Sequence, residues 1–269
     1  MGSVKPEGQF EKEVIERLSK HGWTYRQDLD FQSEEALLEN WRGLLNSRNL
    51  CRLNQIPLSD GEFSQLKEQI FQVKTPLEGG KLLLDGKLGL VRDVAGYENE
   101  KLYLEFFWKH DVGAGLNQYE VVRQIKRNAT ISGRKDRIFD VTLLISGIPV
   151  IHLELKRKGV TVKAAYNQIR EYAEADHFSG FYSLIQLFAI LNPDETRYFA
   201  NPGDYQKYNY KYTFAWKDFK NNPINEATGF IEEVLSVPMG HKLVTQYTIQ
   251  DDAKGALKVL RSYQIYAIE

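Results

Sequence analysis

Three side chains suited to phosphodiester hydrolysis lie close together in the middle of the sequence: Asp140, Glu154 and Lys156. Carboxylate oxygens are hard ligands that bind Mg²⁺ while water molecules stay in its coordination shell. A metal ion held in this way activates a water molecule and offsets the charge on a pentavalent phosphate. A lysine beside the ion can hold or polarise the attacking water. These residue types therefore predict metal-dependent cleavage of a phosphodiester.

Two apolar segments position these residues. Ile138–Ser146 and Val150–Lys156 flank a Gly-Ile-Pro turn, so we expect them to form an antiparallel β-hairpin. Because side chains alternate along a strand, Glu154 and Lys156 share one face, and Asp140 lies across the hairpin from them. The two carboxylates are therefore expected to converge at the edge of a sheet.

The spacing of the three residues is not specific by itself, because an acid followed at a distance by acid-x-Lys occurs in many proteins. A solvated strand face with a Glu–Lys pair is the alternative interpretation. The surrounding sequence favours a functional site, since the acids interrupt the apolar runs Val141–Ile145 and Val150–Leu155. A charge in such a run is costly unless it coordinates something.

Basic residues are concentrated around the predicted hairpin. Residues 123–163 contain ten basic residues and three acids, a net charge of +7, whereas the whole chain has a net charge of −1. A local basic stretch suits a surface that meets phosphates, and a solvated charge run is the alternative. The candidate residues for contacting DNA, or for supporting such contacts, are Arg123, Arg127, Arg134, Lys135 and Lys158.

The order of the other predicted elements indicates the fold class. Helices are expected over Phe10–Lys20, Ser33–Ser47, 59–71, Val160–Ala175 and Ile224–Leu235. Further strands are expected over Lys81–Leu84 and Leu88–Val91, joined as a hairpin at Asp85-Gly86, and over Leu102–Trp108, Val121–Lys126, Leu184–Leu191 and Thr196–Phe199. Helices, then strands, then a helix and more strands predict an α/β fold with a mixed β-sheet flanked by helices.

Composition excludes several classes of protein. The 269 residues, 42% of them hydrophobic, suffice for one large domain or one domain with an appendage. Cys51 is the only cysteine, which excludes an intrachain disulfide and a cysteine-based zinc site. The apolar stretches are too short to span a membrane, and the start, MGSVKPEGQF, does not have the pattern of a signal peptide. We therefore expect a cytoplasmic protein without a membrane partner.

The segment Arg137–Lys158, RIFDVTLLISGIPVIHLELKRK, resembles the PD-(D/E)XK nuclease core found in the R subunit of type I restriction endonucleases. In that family an Asp precedes an apolar strand, a turn similar to Asn-Gly-Leu-Pro follows, and the second strand ends in Glu-x-Lys. Here Ser146 replaces the usual Asn, and Phe139 replaces the usual Pro before the Asp. The resemblance implies a restriction-endonuclease-like core.

The resemblance also implies roles for individual residues. The implied catalytic residues are Asp140, Glu154 and Lys156, and the implied ligands of Mg²⁺ or Mn²⁺ are Asp140, Glu154 and the backbone carbonyl of Leu155. Glu11 resembles a glutamate that lies near the metal in the first helix of the family, although Glu13 and Glu16 are available on the same helix.

A second motif follows the core. The residues Gln168-Ile-Arg-Glu-Tyr172 match the Gln-x-x-x-Tyr motif of the same family. Gln168 and Tyr172 are four residues apart and share one face of a helix. The resemblance implies that this face approaches the active site and DNA; an ordinary polar pair on a helix is the alternative.

The end of the chain resembles the start of a motor. Leu257–Ala267, LKVLRSYQIYA, is similar to the Q motif that opens superfamily 2 helicases, in which the glutamine corresponding to Gln264 contacts the adenine of ATP. An amphipathic helix that packs through its apolar residues is the alternative. The chain contains no G-x-x-x-x-G-K-[ST] loop, so ATP hydrolysis of the helicase type would require a motor outside this chain.

Together these features predict a three-part organisation and a function. We expect residues 1–80 to form the N-terminal helical part of the nuclease domain, 81–223 the PD-(D/E)XK core, and 224–269 a helical linker that leads to a helicase motor. The expected function is metal-dependent cleavage of double-stranded DNA in a type I restriction complex, with methyltransferase and specificity subunits as partners and ATP needed only by the full-length subunit. The alternatives are a free-standing repair or junction nuclease and a non-catalytic nucleic-acid-binding or assembly module.

Overall fold

The structure is a computed structural model that describes residues 7–269. In chain order, helices α1 to α8 comprise Glu7–Lys20, Glu34–Asn49, Asp60–Phe71, Pro76–Asp85, Val162–Glu174, Ala227–Glu233, Val237–Thr245 and Ser262–Tyr266. No helix in the described range is both long and apolar enough to cross a membrane.

The strands are shorter and more numerous than the helices. Strands β1 to β12 comprise Thr24–Tyr25, Lys87–Val91, Lys101–Glu105, Tyr119–Arg127, Arg137–Ile145, Ile148–Leu155, Leu187–Leu191, Thr196–Ala200, Trp216–Lys217, Pro223–Ile224, Thr248–Asp251 and Ala256–Val259. Short 3₁₀ segments occupy Gln27–Leu29, Gly180–Leu184, Tyr205–Lys207 and Tyr210–Tyr212.

A six-stranded sheet forms the centre of the molecule, with the strand order β1-β4-β5-β6-β7-β8. The pairs β1–β4 and β6–β7 are parallel, whereas β4–β5, β5–β6 and β7–β8 are antiparallel. Helices α1, α2 and α5 pack against its central strands. This arrangement confirms the predicted α/β fold, a mixed β-sheet flanked by helices.

The β5–β6 hairpin lies at the centre of this sheet. All eight residues of β6 are buried, as expected of a strand covered on both faces. Ser146 and Gly147 form the turn with φ values of 52° and 78°, which is the pattern of a two-residue type I′ turn. The turn is therefore one residue earlier than predicted, and Pro149 lies inside β6, beside an irregularity between Leu143 and Leu144.

The predicted hairpin at Asp85-Gly86 is wrong, because the first of its two strands is part of helix α4. Thr75 and Glu78 form a capping box at the start of this helix, and Pro76 occupies its first turn. Gly86 ends it in a left-handed conformation, with φ 69°. The Asp85-Gly86 dipeptide thus ends a helix here. Strand β2, the second strand of the predicted hairpin, pairs with β3.

The expected parts at the two ends of the chain pack against the central sheet. The N-terminal part, of which residues 1–6 lie outside the described range, supplies the edge strand β1. Residues 224–269 contain the hairpin β11–β12 as well as helices, so this region is not only helical. Trp23 Nε1 donates to the Leu235 carbonyl at 2.6 Å, and Tyr198 Oη donates to the Leu260 carbonyl at 2.9 Å. These contacts attach the C-terminal region to the body of the fold.

Candidate active site

Asp140 lies on β5 where the pairing of β5 with β6 ends. The last paired residues of the two strands at this end are Val141 and Leu153. Beyond them, the backbone N–H of Leu155 donates to Asp140 Oδ2 at 2.9 Å. The Asp140 carboxyl group thus accepts a hydrogen bond from the β6 backbone just beyond the last backbone pair of the two strands. This bond holds the carboxyl group between the two strand ends.

Glu154 and Lys156 follow on β6 and contact each other. Glu154 is fully buried, and Lys156 Nζ donates to Glu154 Oε1 and to the Leu155 carbonyl, both at 3.0 Å. His152 Nε2 lies 3.3 Å from the other carboxylate oxygen, Glu154 Oε2. The ammonium group therefore bridges two of the oxygen groups that the sequence resemblance assigns to a metal ion.

The electrostatics of this end of the hairpin are unusual. Burial, and next the negative charge of Glu154, raise the pKa of Asp140 to about 8. Burial lowers the pKa of His152 to about 4, so this imidazole is neutral at pH 7. The Leu155 N–H that binds Asp140 belongs to the residue after Glu154, so the two carboxyl groups lie at the same end of the hairpin and repel each other when both are ionised. A cation between them would remove that repulsion.

The available donors fit a hard cation. Among residues 7–269 no group of three or more His, Cys, Asp or Glu side chains could hold a metal ion. Asp140, Glu154 and the Leu155 carbonyl are a different set, with two carboxylates and one backbone oxygen. Oxygen donors suit Mg²⁺ or Mn²⁺, with water completing the shell, and the like-charge repulsion at Asp140 is the observation that favours a cation. The metal roles of these groups stay predictions.

Glu11 lies on α1 and faces the same site. Arg123 Nη1 donates to Glu11 Oε1 at 3.0 Å, and Gln124 Nε2 donates to Glu11 Oε2. A cleft of about 680 Å³ is lined by Glu11, Asp140 and Leu155, together with Gly8, Gln9, Lys12, Phe31, Arg123 and Gln124. Of the three acids considered on this helix, Glu11 lines the cleft that contains Asp140.

The Gln-x-x-x-Tyr pair lies next to the same end of the hairpin. Gln168 Nε2 donates to the hydroxyl group of Tyr172, whose ring packs on Phe139 with the centroids 5.1 Å apart. Burial, and next the charge of Glu154, raise the pKa of Tyr172. Because the Tyr172 ring contacts Phe139, the residue before Asp140 on β5, the helix face that carries this pair is adjacent to the candidate site.

The five basic candidates divide into buried and exposed residues. Arg127 is buried, bridges to Glu34 Oε2 at 2.7 Å and lies 4.7 Å from the centroid of the Tyr182 ring. Because it is buried, it fits the supporting role among the two that the sequence left open, and this role stays a prediction. Arg123 is also held in place, by Glu11 and by Asp30 Oδ2 at 2.7 Å.

The remaining candidates, Arg134, Lys135 and Lys158, are exposed. Arg134 pairs with Glu174 at 3.1 Å, and Lys158 pairs with Asp194 at 3.2 Å. Exposed pairs of this kind contribute little to stability, so both cations can exchange their partners for phosphates.

Gln264 lies apart from these residues. It belongs to α8, where its side-chain Oε1 accepts from the Arg261 backbone N–H at 2.9 Å. It lines a second cavity, of about 690 Å³, whose lining shares no residue with the cleft at Asp140. The motif segment around it contains the strand β12 as well as this short helix, and is not one amphipathic helix.

Comparison with known proteins identifies the family. The family model described as "Type I restriction enzyme R protein N terminus" matches residues 5–207. The chain belongs to this family. The resemblance stated from the residues of the β5–β6 hairpin is thereby confirmed, and the mixed sheet flanked by helices is consistent with a nuclease-like fold.

Curated relatives match almost the whole chain. The Type I restriction enzyme SsaAORF53P endonuclease subunit of Staphylococcus saprophyticus is 33% identical over 265 residues, covering 97% of this chain and 26% of the relative. The SauCOLORF180P endonuclease subunit of Staphylococcus aureus strain COL is 32% identical and covers 99% and 27%. The EcoprrI endonuclease subunit of Escherichia coli is 28% identical and covers 99% and 81%. The chain spans about a quarter of the length of the two staphylococcal relatives.

Gln124 and Phe31 line the cleft but are absent from the residues assigned from sequence. Both have a positive φ, 55° for Gln124 and 60° for Phe31, which is rare for residues other than glycine. No local sequence pattern marks either position. Only their positive φ values, which are visible in the structure, distinguish these two residues.

Proposed function

We propose that this chain is the nuclease domain of a type I restriction enzyme R subunit and that it cleaves double-stranded DNA with Mg²⁺ or Mn²⁺. The observation that carries this proposal is the pair of mutually repelling carboxyl groups of the half-buried Asp140 and the buried Glu154, with the Lys156 ammonium bound to Glu154 and to the Leu155 carbonyl. An arrangement that keeps two acids together inside an apolar hairpin is costly unless it serves a ligand.

The residues of the chain would divide the task as follows. A bound metal ion would lower the pKa of a coordinated water and stabilise negative charge on the phosphate. Asp140, oriented by the Leu155 N–H, and Glu154 would hold that ion, and the Leu155 carbonyl would supply a third oxygen. Lys156 would stabilise the developing negative charge on the phosphate, since its ammonium group is already anchored beside Glu154.

Other residues would support this centre. His152 is neutral and buried behind Glu154, so it orients the carboxylate without adding charge. Gln168 and Tyr172 would present the α5 face to the DNA near the scissile phosphate. Arg134, Lys135 and Lys158 would bind phosphates further along the duplex.

The rest of the function would depend on parts outside this chain. We propose that ATP-driven translocation belongs to a motor that follows in the full-length subunit, with Gln264 contacting the adenine of ATP. The methyltransferase and specificity subunits would complete the complex, in the cytoplasm where its DNA substrate lies.

Loss of cleavage in the assembled enzyme tests the proposal. We expect Asp140→Ala and Lys156→Ala each to reduce DNA cleavage by about 10²–10³-fold or more, because the first removes a proposed metal ligand and the second removes the ammonium group that stabilises charge on the phosphate. Lys101→Ala, at an exposed strand end in β3, is the matched control and should leave cleavage unchanged. ATP hydrolysis by the same preparations reports that the motor is intact. Unchanged cleavage in either active-site variant contradicts the proposal.

Metal binding separates a nuclease from a non-catalytic module of the same fold. Calorimetry of the chain with Mn²⁺ should give a heat of binding that Glu154→Ala abolishes. A chain without such heat, or with heat that Glu154→Ala leaves unchanged, would instead be a binding or assembly module.

A further inference from the structure

Gln124 has an unusual backbone for a residue inside a strand. Its φ of 55° lies in the left-handed region, although β4 extends on both sides of it. Its neighbours Arg123 and Ile125 pair with Val141 and Phe139 of β5, so Gln124 stands at the position facing Asp140, where the register has no pair. The sheet is therefore irregular directly opposite the candidate catalytic aspartate.

The side chain of Gln124 contacts a second acid of the site. Its Nε2 donates to Glu11 Oε2, while Nη1 of the preceding residue, Arg123, donates to Glu11 Oε1 at 3.0 Å. Both carboxylate oxygens of Glu11 are thus held by two consecutive residues of β4. Glu11, Gln124 and Asp140 line the same cleft.

A regular strand could not make both contacts. Successive side chains on a strand point to opposite faces of the sheet, so Arg123 and Gln124 would diverge. The positive φ of Gln124 breaks this alternation and lets both side chains reach one carboxylate. A backbone conformation of this kind is unfavourable for glutamine and persists only where its surroundings hold it.

The surroundings do hold this part of β4. The Lys126 backbone N–H donates to the Gln32 carbonyl at 2.8 Å, and the Phe31 N–H donates to the Arg123 carbonyl at 3.4 Å. Phe31 itself has a φ of 60° and lines the cleft. Two left-handed residues other than glycine therefore meet at one side of the candidate site, which is where strain is typically retained for function.

We propose that Gln124 is a positioning residue whose left-handed backbone turns its amide onto Glu11 and aims that carboxylate into the cleft, toward the metal ion and its waters. This inference rests on the proposed nuclease function of the same site. Arg123 would neutralise Glu11, and Gln124 would set its orientation. The irregularity would also keep the position opposite Asp140 open for substrate.

Removing the amide while keeping the backbone tests this role. Glycine adopts a positive φ without strain, so Gln124→Gly preserves the course of β4 and deletes only the contact with Glu11. We expect the affinity of the chain for Mn²⁺, measured by calorimetry, to fall by about 10–100-fold, as is typical when an outer-sphere partner of a metal site is lost. Cleavage by the assembled enzyme should decrease in parallel.

Gln55→Gly is the matched control. Gln55 is also a glutamine with a positive φ, 63°, but it is exposed between α2 and α3, and its Nε2 contacts Cys51 Sγ at 3.8 Å. The same substitution there should leave the Mn²⁺ affinity unchanged. An equal loss of affinity in both variants would mean that a general effect of glycine is responsible, and it would overturn the proposal.

A double-mutant cycle distinguishes positioning from a merely structural role. If Gln124 acts through Glu11, then Gln124→Gly should have no further effect on Mn²⁺ affinity in a Glu11→Gln background. Full additivity of the two losses overturns the proposal. Should Gln124→Gly fail to fold, Gln124→Asn takes its place, because asparagine tolerates a left-handed backbone and its shorter amide does not reach Glu11.

The failure of this inference and that of the proposed function give different results. Absence of Mn²⁺ binding by the parent chain, or Mn²⁺ binding unaffected by Glu154→Ala, refutes the metal site and with it the positioning role. Binding that requires Glu154 but is unaffected by Gln124→Gly refutes only the role of Gln124.

Discussion

The two ends of the β5–β6 hairpin differ in the regularity of their backbone pairing and in the polarity of their side chains. At the turn end, Ser146 and Gly147 adopt a type I′ turn against Trp41, and the flanking residues are apolar and paired. At the open end, the backbone pairing stops before the half-buried Asp140, its charge and that of the buried Glu154 repel each other, and β4 is irregular opposite Asp140. One hairpin thus combines an end built for stability with an end that keeps unfavourable groups.

The difference indicates where stability and function are located. Natural sequences are consistent with local rules where only folding matters, and they break those rules at functional sites. Substitutions at the turn end are therefore expected to destabilise the fold. The open end should tolerate removal of the Asp140 charge, because burial and the charge of Glu154 already disfavour the ionised form of that carboxyl group.

The largest expected effect is on the affinity for a metal ion at the open end of the hairpin. We expect Glu154→Gln to lower the affinity for Mn²⁺ by more than about 100-fold, since it removes the charge of a proposed direct ligand and the loss should exceed that for an outer-sphere partner. The thermal midpoint of the metal-free chain should fall, because the substitution leaves the Lys156 ammonium without its carboxylate partner. An Mn²⁺ affinity equal to that of the parent would contradict the proposed role of Glu154 as a metal ligand.

The opposite result is expected at the turn. Gly147 has a φ of 78°, and a Cβ atom there would lie 3.2 Å from Trp41 Cα and 3.0 Å from Leu44 Cδ1. We expect Gly147→Ala to lower the free energy of unfolding by about 1–3 kcal/mol, through backbone strain and overpacking. Denaturant unfolding measures this loss, and the Mn²⁺ affinity of the folded variant should match that of the parent. A reduced Mn²⁺ affinity would mean that the turn influences the metal site, contrary to the separation of the two ends.

The pH dependence of stability sharpens the comparison further. Asp140 has an ordinary pKa near 3.8 when unfolded and about 8 in the folded chain, so the folded state binds its proton more tightly. Its contribution to stability is complete below about pH 4 and is lost as the pH rises toward 8. In the presence of a chelator, the parent should lose more stability between pH 5 and pH 8.5 than Asp140→Asn does. Parallel pH profiles for the two proteins would contradict the raised pKa.

A smaller effect is expected from the exposed basic residues. Arg134→Ala and Lys135→Ala should each weaken DNA binding similarly for all sequences and reduce the slope of log affinity against log salt by about 1. The unfolding midpoints should not change, because both side chains are exposed. Binding titrations at several salt concentrations measure the slope, with Lys101→Ala as the control. A slope identical to that of the parent would mean that these residues do not contact the DNA phosphates.

The same contrast explains what could be predicted from sequence. The β5–β6 hairpin was predictable because its apolar strands and short turn follow local rules, and the family motif lies on it. The sequence could not separate contacting from supporting roles for Arg127, because a basic stretch does not reveal which of its members are buried against Glu34. The hairpin at Asp85-Gly86 was wrong because this dipeptide suits both a turn and a helix end.

Gln124 could not be predicted for a different reason. Its segment has the composition of an ordinary strand, and a positive φ at glutamine leaves no local pattern. The conformation is imposed by contacts with Glu11 and with residues 31–32, which are distant in sequence. Tertiary contacts of this kind are invisible to periodicity and propensity.

Anomalous diffraction from crystals of this chain soaked with Mn²⁺ tests the central claim most directly. We predict one ion at the open end of the β5–β6 hairpin, bound by carboxylate oxygens of Asp140 and Glu154 and by the Leu155 carbonyl. Crystals of well-folded protein with no ion there at saturating Mn²⁺, or with the two carboxylates turned away from a common ligand, would contradict the account.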